Sequence, residues 1–391
     1  MFLVYAMSFT AAISMNTLGP VLSIYAHDYV GATVEEVGII ISICAIASMF
    51  SKFISGFYCH GMRGLYLMVG GLLLAAACPI VMILSPTPQT MIISSAIWGF
   101  STALTWPSML TFVVLLTTNP QHVREAISNY SLSTSIGMFI APLIDSIGIV
   151  TIGMRNTLIL TAIILIISFL LGSMLIHSRA DLSQNLSKEG GGRPSLRAIP
   201  HIFANRSFRF VAIALVTMAF VYSTVLAYGT LYAENSFHVG EGEVPLLYFG
   251  YYGVLMVTRL LVRRSTKIVS DEKIMVLSLA NCTIATLLLV LSSNYITFAL
   301  VFSILGASHA LLFPVGAIIL AESTAQDLLP LANAVYAITW DFGNILGPSM
   351  TAPLVTSYTY REALVTTSFV SALGLVTMTL LRRRWKTLKD N

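Results

Sequence analysis

Charge is scarce in this sequence: 21 Lys and Arg and 17 Asp and Glu make up only 10% of 391 residues, where soluble domains carry roughly 25%. So little charge cannot present a polar surface to water on every side, which excludes a freely soluble globular class. Cysteine is also sparse. Cys44, Cys59, Cys78 and Cys282 stand singly in apolar stretches, with no C-x-x-C pair and no histidine at ligand spacing, so neither a metal centre nor a disulfide framework is expected. Phosphate-loop, H-E-x-x-H and usable G-x-S-x-G patterns are missing, so no cofactor and no enzymatic chemistry is expected either. Gly190 to Gly192, followed by Arg193 and Pro194, read as linker. The net charge of +4 calls for no nucleic-acid partner.

What is abundant is apolar sequence, 56% hydrophobic with a mean hydropathy of +0.84. A helix crossing roughly 30 Å of hydrocarbon needs about 20 mainly apolar residues, and runs of that length recur between short polar breaks. They predict an all-α polytopic membrane protein of about twelve transmembrane helices. The spans are 2–25, 37–58, 64–84, 91–116, 127–151, 155–177, 209–232, 245–264, 273–292, 296–319, 330–355 and 362–381. The first run, Phe2 to Tyr25, is too long for a signal-peptide core and lacks a charged leader, so it is expected to be a retained span.

Basic residues set the orientation. With the N-terminus inside, cytoplasmic segments hold Arg63, Arg124, the cluster from Arg179 to Arg209, that from Arg263 to Lys273, and that from Arg382 to Lys389, against Arg155 and Arg361 outside. Both termini are thus expected on the cytoplasmic side of an inner or plasma membrane. The polar stretch from His177 to Ser207 divides the chain into an N-terminal six-helix bundle (1–178), a cytoplasmic linker (179–207) with an interfacial piece near Leu196 to Phe208, and a C-terminal six-helix bundle (208–391).

The halves repeat. GFSTALTWP (Gly99 to Pro107) matches GASHALLFP (Gly306 to Pro314) at an offset of 207, with five identities in nine. Downstream, at an offset of 206, Ala126 pairs with Ala332, Tyr130 with Tyr336, Gly137 with Gly343 and Pro142 with Pro348. Parallel repeats of this kind predict two pseudo-symmetric bundles flanking a substrate cavity at the bilayer midplane.

This layout resembles the major facilitator superfamily over essentially the whole chain. GNILGP (Gly343 to Pro348) is similar to the family's G-x-x-x-G-P antiporter-type motif, with the weaker GMFIAP (Gly137 to Pro142) in the motif's usual span. GFYCHGMRGLY keeps Gly56 and Arg63 of the family's loop between spans two and three, with His60 where an acid is usual. Ser95 stands where the family's antiporters carry an arginine. The resemblance implies a secondary transporter with a small-molecule substrate, protons as coupling ion and no cofactor, working as a monomer in the lipid bilayer.

A charge at mid-bilayer depth costs roughly 2.5–3.5 kcal/mol on an insertion scale, so deep polar side chains are functional candidates. Asp341 is the acidic residue nearest the middle of a span and is expected to carry a proton; the structural alternative is a hydrogen bond to a neighbouring helix. His309 either shares that proton, bonds substrate, or is a satisfied core histidine. Asn16, Trp106, Tyr222, Tyr251, Tyr252 and Trp340 are cavity candidates that helix packing explains as well. Lys52 and Arg259 occupy equivalent positions, as cytoplasmic gate partners or as snorkelling cations. Asp145 is expected at an outer rim reached by water. Gly137, Pro142, Gly343, Gly347 and Pro348 permit close approach and bending of helices. The function expected is proton-coupled efflux of a neutral or amphipathic metabolite or drug by alternating access; the alternatives are uptake of a sugar or organic acid, and a non-transporting receptor or assembly partner.

Overall fold

The computed structural model describes residues 2–58, 61–84, 86–115, 122–178, 196–265, 269–325 and 328–389. Among them there is no strand, and the long helices, in chain order, are α1 (Phe2–Tyr29), α2 (Val34–Tyr58), α3 (Gly61–Leu84), α4 (Pro88–Leu115), α5 (Val123–Ile152) and α6 (Met154–Ser178). The second series is α7 (Arg206–Phe237), α8 (Val244–Ser265), α9 (Asp271–Leu291), α10 (Tyr295–Ser323), α11 (Leu329–Ser357) and α12 (Tyr360–Lys389). Ten of these are long and apolar enough to cross a membrane. The other two, α4 and α11, have 28 and 29 residues, so length suffices, and in α11 Asn333, Asp341, Asn344 and two internal prolines dilute the hydropathy. That count agrees with the about twelve spans expected, with several ends running further than the hydropathy breaks.

Local signals explain where helices begin and end. Thr33 and Glu36 form a capping box at α2: Thr33 N donates to Glu36 Oε2 at 2.8 Å and Glu36 N to Thr33 Oγ1 at 3.3 Å. Asn205 caps α7 by accepting from Ser207 N at 2.8 Å, and Asn294 caps α10 by accepting from Thr297 N at 2.9 Å. Gly153, at φ +84°, makes the tight turn between α5 and α6 that a side chain would strain. Inside the spans many serine and threonine hydroxyls return to carbonyls of their own helix, as Ser168 does to Ile164 O at 2.9 Å, and others, such as Ser133 to Tyr5 O at 2.7 Å, bond a neighbouring helix. Apolar side chains such as Val150, Leu300 and Phe369 stay 75%, 63% and 69% exposed, the surface a lipid-facing helix presents.

The chain divides into two compact units: unit 1 is Met1–Arg193 with Glu241–Leu246, and unit 2 is Pro194–Gly240 with Leu247–Asn391. Unit 1 thus includes a short segment from the second helix series. Tyr29 donates its hydroxyl to Glu241 Oε2 at 2.5 Å, and Gly242 lies so close to Val150 that an added Cβ would meet Cγ2 at 2.4 Å. Where the sequence predicts a linker, residues 179–195 lie outside the described residues. Residues 196–204, where the sequence predicts an interfacial piece, form a 3-10 turn, Leu196–Ala198, and a short helix, Ile199–Ala204, ended by Asn205.

The repeat is present in the contacts of each unit as well as in the letters. An added Cβ on Gly99 would lie 1.9 Å from Cys44 O, and one on Gly306 would lie 2.1 Å from Tyr251 O. The same Cβ on Gly137 meets Phe9 O, Ala12 Cβ and Ile13 N; on Gly343 it meets Val216 O, Ala219 Cβ and Phe220 N. Each contact partner in unit 1 has its equivalent in unit 2 at an offset of 207 (Phe9 to Val216, Cys44 to Tyr251). Backbones this close exclude any larger residue, so in each unit glycine sets the seams α2 with α4 and α1 with α5, and then α8 with α10 and α7 with α11.

Candidate functional site

The two close seams of unit 2 determine which side chains meet. Gly306 brings α10 onto α8 at Tyr251, and one turn further along α10 His309 arrives with Nδ1 2.8 Å from the Tyr251 hydroxyl. Gly343 brings α11 onto α7 between Val216 and Phe220, which leaves Trp340, one turn before it, beside Tyr222 at a ring-centroid separation of 5.6 Å. The four elements then close a ring cluster. His309 stacks on Trp340 at 5.0 Å and 21°, Tyr222 lies 5.3 Å from His309, and the Tyr222 and Tyr252 hydroxyls are 3.4 Å apart. Tyr251 and Tyr252 are both 2% exposed, whereas Tyr222, His309 and Trp340 keep part of their surface open.

Three further residues belong to the cluster and are absent from the candidates drawn from sequence. Asn344, one turn after Trp340 on the same face of α11, satisfies both neighbours when its amide is assigned from their hydrogen-bonding needs: Oδ1 then accepts from Trp340 Nε1 at 2.8 Å and Nδ2 donates to Ala219 O at 3.0 Å. It clamps the indole and ties α11 to α7 at once. Tyr248 precedes Tyr251 and Tyr252 at helical spacing, and Phe302 precedes His309 by two turns; their rings pack edge to face at 5.1 Å beneath the cluster. The i, i+3, i+4 pattern of Tyr248, Tyr251 and Tyr252 and the i, i+4 pair Trp340 and Asn344 are the sequence signals that mark them.

Chemically, the arrangement offers planar faces, a hydroxyl and imidazole pair able to exchange donor and acceptor roles, and a carboxyl next along the chain. Asp341 follows Trp340 on α11 and is 2% exposed. Tyr251 either donates to Nδ1, leaving the ring hydrogen on Nε2, or accepts from it, so the pair can present either a donor or an acceptor, according to the histidine tautomer, without either residue moving far.

The remaining candidates are distributed differently. Asn16 spends its amide on its own helix, donating to Ala12 O at 2.7 Å, and Trp106 packs against the apolar core of unit 1 with Met109, Phe112 and Tyr130. Lys52 and Arg259 are half-buried on α2 and α8. Gly56 and Arg63 lie on α2 and α3 with side-chain surroundings outside the described residues, as is His60 altogether. Gly137, Gly343 and Gly347 are close-approach sites, and Pro142 and Pro348 lie inside helices that continue through them. Asp145, expected from the sequence at an outer rim reached by water, is 1% exposed on α5, as little as Asp341. Among the described residues no group of three or more His, Cys, Asp or Glu is assembled, and Cys44, Cys78 and Cys282 form no disulfide; Cys59 lies outside them.

The sister unit provides an internal control. In unit 1 the positions equivalent to Tyr222, Tyr251, His309, Trp340 and Asp341 are Met15, Cys44, Thr102, Thr134 and Ser135. The hydroxyls there are satisfied locally: Thr102 donates to Gly99 O at 3.0 Å, Thr134 to Ser131 O at 3.0 Å and Ser135 to Ser131 O at 2.7 Å. The same seams therefore pack without any ring cluster, so aromatic, imidazole and carboxyl groups in unit 2 are not required by the fold.

The sequence matches the family described as the Major Facilitator Superfamily over residues 4–269 and again over 232–390. No curated protein matches it. Among solved structures it is similar to a variant of the nucleoside transporter NupG, at 14% identity over 97% of this chain and 99% of that one with a TM-score of 0.83. The unaltered NupG gives 13% identity, 97% and 99% coverage and a TM-score of 0.79. The peptide transporter POT in complex with sulfate gives 14% identity over 98% of this chain and 93% of that one with a TM-score of 0.76.

Proposed function

The chain belongs to the major facilitator superfamily, and from that premise we propose that it is a secondary active transporter which carries a small neutral or amphipathic solute across the bilayer by alternating access, coupled to protons. The observation that carries this reading is the cluster of Tyr222, Tyr251, Tyr252, His309 and Trp340, absent from the equivalent place in the sister unit. Its side chains bear no formal charge while His309 is neutral, and aromatic faces with a few hydrogen-bonding tips favour a solute with an apolar body over a multiply charged anion. A polyanion would need several arginines at that depth.

Proton coupling is assigned to Asp341 with His309 as its nearer exchange partner to the solute, since a carboxyl buried at mid-span is costly to keep unless its protonation state is used. The direction proposed is efflux, on the antiporter-type pattern of Gly343 to Pro348. The similar solved structures are a nucleoside transporter and a peptide transporter, so nucleosides and dipeptides belong in the solute panel beside lipophilic cations and uncharged aromatic compounds.

The test is reconstitution into vesicles with an imposed pH gradient, each member of the panel being offered in labelled form. Accelerated movement of one class, abolished by dissipating the gradient and lowered about tenfold or more by His309→Thr, is the expected result. Solute-dependent stabilisation without flux of any class under any gradient would replace transport with a receptor role.

A further inference from the structure

Asp145 is used by nothing described so far, and its surroundings do not account for it. It lies eight residues beyond the Gly137 seam, about 12 Å further along α5, and is 1% exposed. Neither Oδ1 nor Oδ2 has a hydrogen-bond partner. Its equivalent in unit 2 is Thr351, equally buried, whose hydroxyl is satisfied by Gly347 O at 2.7 Å. The fold accepts a satisfied hydroxyl at this place, so the carboxyl is not there for packing.

Among the described residues of unit 1 the neighbours offer no counter-charge. Within unit 1, α5 packs against α1, α4 and α6, and Gly242 of the segment Glu241–Leu246 meets it at Val150. Among these α4 carries no titratable group. On α1 there are Tyr5, Tyr25 and the pair His27 and Asp28, bonded to each other at 2.6 Å, with Tyr29, which is spent on Glu241. On α6 there are Arg155, which is exposed, and His177 at the far end; Glu243 is exposed too. On α5 itself Arg124, Glu125 and Tyr130 are about four turns or more away. None of them is a partner of either carboxyl oxygen.

A carboxylate buried with neither a cation nor a donor costs several kcal/mol, whereas the neutral acid forgoes only hydrogen bonds. We propose that Asp145 is a proton-binding site of unit 1, loaded in the conformation described here and emptied when a second conformation admits water to it. On unloading, the Oδ–H bond breaks, the proton passes to a water molecule and the carboxylate stays behind hydrated; closure reverses each step. The site gives the transporter a proton step on a different unit from Asp341, and in that use it rests on the proton-coupled reading above.

The site itself is tested without any solute. In lipid-reconstituted protein, infrared spectra should contain a carboxylic-acid C=O band that shifts in D2O, is lost or diminished in Asp145→Thr, and persists in Asp341→Asn. Asp145→Thr installs the sister unit's own residue and should melt no earlier than the parent; Asp145→Asn, which keeps the shape, serves as the second variant. An unchanged band in both variants, or no such band in the parent, overturns the proposal while leaving the flux assay untouched. Loss of the band together with a complete absence of gradient-driven flux keeps the proton site and removes transport.

Discussion

The ring of His309 lies nearly parallel to the indole of Trp340, 5.0 Å away with 21° between the planes, although the two come from different helices. Their meeting depends on both glycine seams of unit 2 at once. If the pair serves the solute and not the fold, His309→Thr should leave thermal stability close to that of the parent, because Thr102 satisfies itself in the same place by bonding to Gly99 O at 3.0 Å. Flux should fall about tenfold or more, equivalent to ~1.4 kcal/mol of lost stabilisation. Melting curves and vesicle flux on the same preparation check it; a large loss of stability with specific activity preserved would make the histidine structural.

Asn344 serves two partners, Trp340 Nε1 and Ala219 O. Asn344→Leu keeps the volume and removes both bonds; Ala219 O keeps its own helix bond, whereas the half-buried Trp340 Nε1 loses its acceptor, at a cost of roughly 1–3 kcal/mol before any relaxation. The expected result is a lower melting temperature together with changed tryptophan fluorescence as the indole is released. Asn344→Gln, which can restore one bond after repacking, should fall between parent and leucine.

The seams predict a contrast between glycines. At Gly343 an added methyl would stand 2.4 Å from Val216 O, a backbone atom that cannot step aside. Gly343→Ala should destabilise by about 1–3 kcal/mol through overpacking. Gly70, also inside a helix, has nothing within 4 Å of the new methyl, so Gly70→Ala should stabilise by roughly 0.5–1 kcal/mol. Thermal unfolding in detergent distinguishes the two, and equal effects would mean that the α7 to α11 seam is looser than described.

Asp341→Asn keeps the shape and removes the exchangeable proton. Transport driven uphill by a pH gradient should be abolished, while exchange of labelled for unlabelled solute at equal pH on both sides continues. Undiminished gradient-driven flux in this variant would take Asp341 out of the coupling mechanism.

Much of the architecture is legible from local composition. Partition into hydrocarbon depends on the summed hydropathy of about 20 consecutive residues, so the long helices announce themselves whatever they pack against. The repeat adds to this, since GFSTALTWP and GASHALLFP tie α4 to α10 and the Gly137 and Gly343 motifs tie α5 to α11. The glycine pairs foretell which seams are close, because a repeated glycine in a helix signals backbone contact.

Tertiary structure decided what converges. Trp106 and Asn16 have the right chemistry at the right depth, yet one packs into the core of unit 1 and the other bonds its own helix, for the rotation of a helix about its axis is set by its neighbours. Asn344, Tyr248 and Phe302 enter the ring cluster for the same reason. Proximity in the chain placed Asp145 near water, but burial is a property of the assembled bundle, and only there does an isolated carboxyl appear. Hydropathy is additive along a chain and therefore readable from it; a site made by four helices is a product of their relative positions, which no single segment encodes.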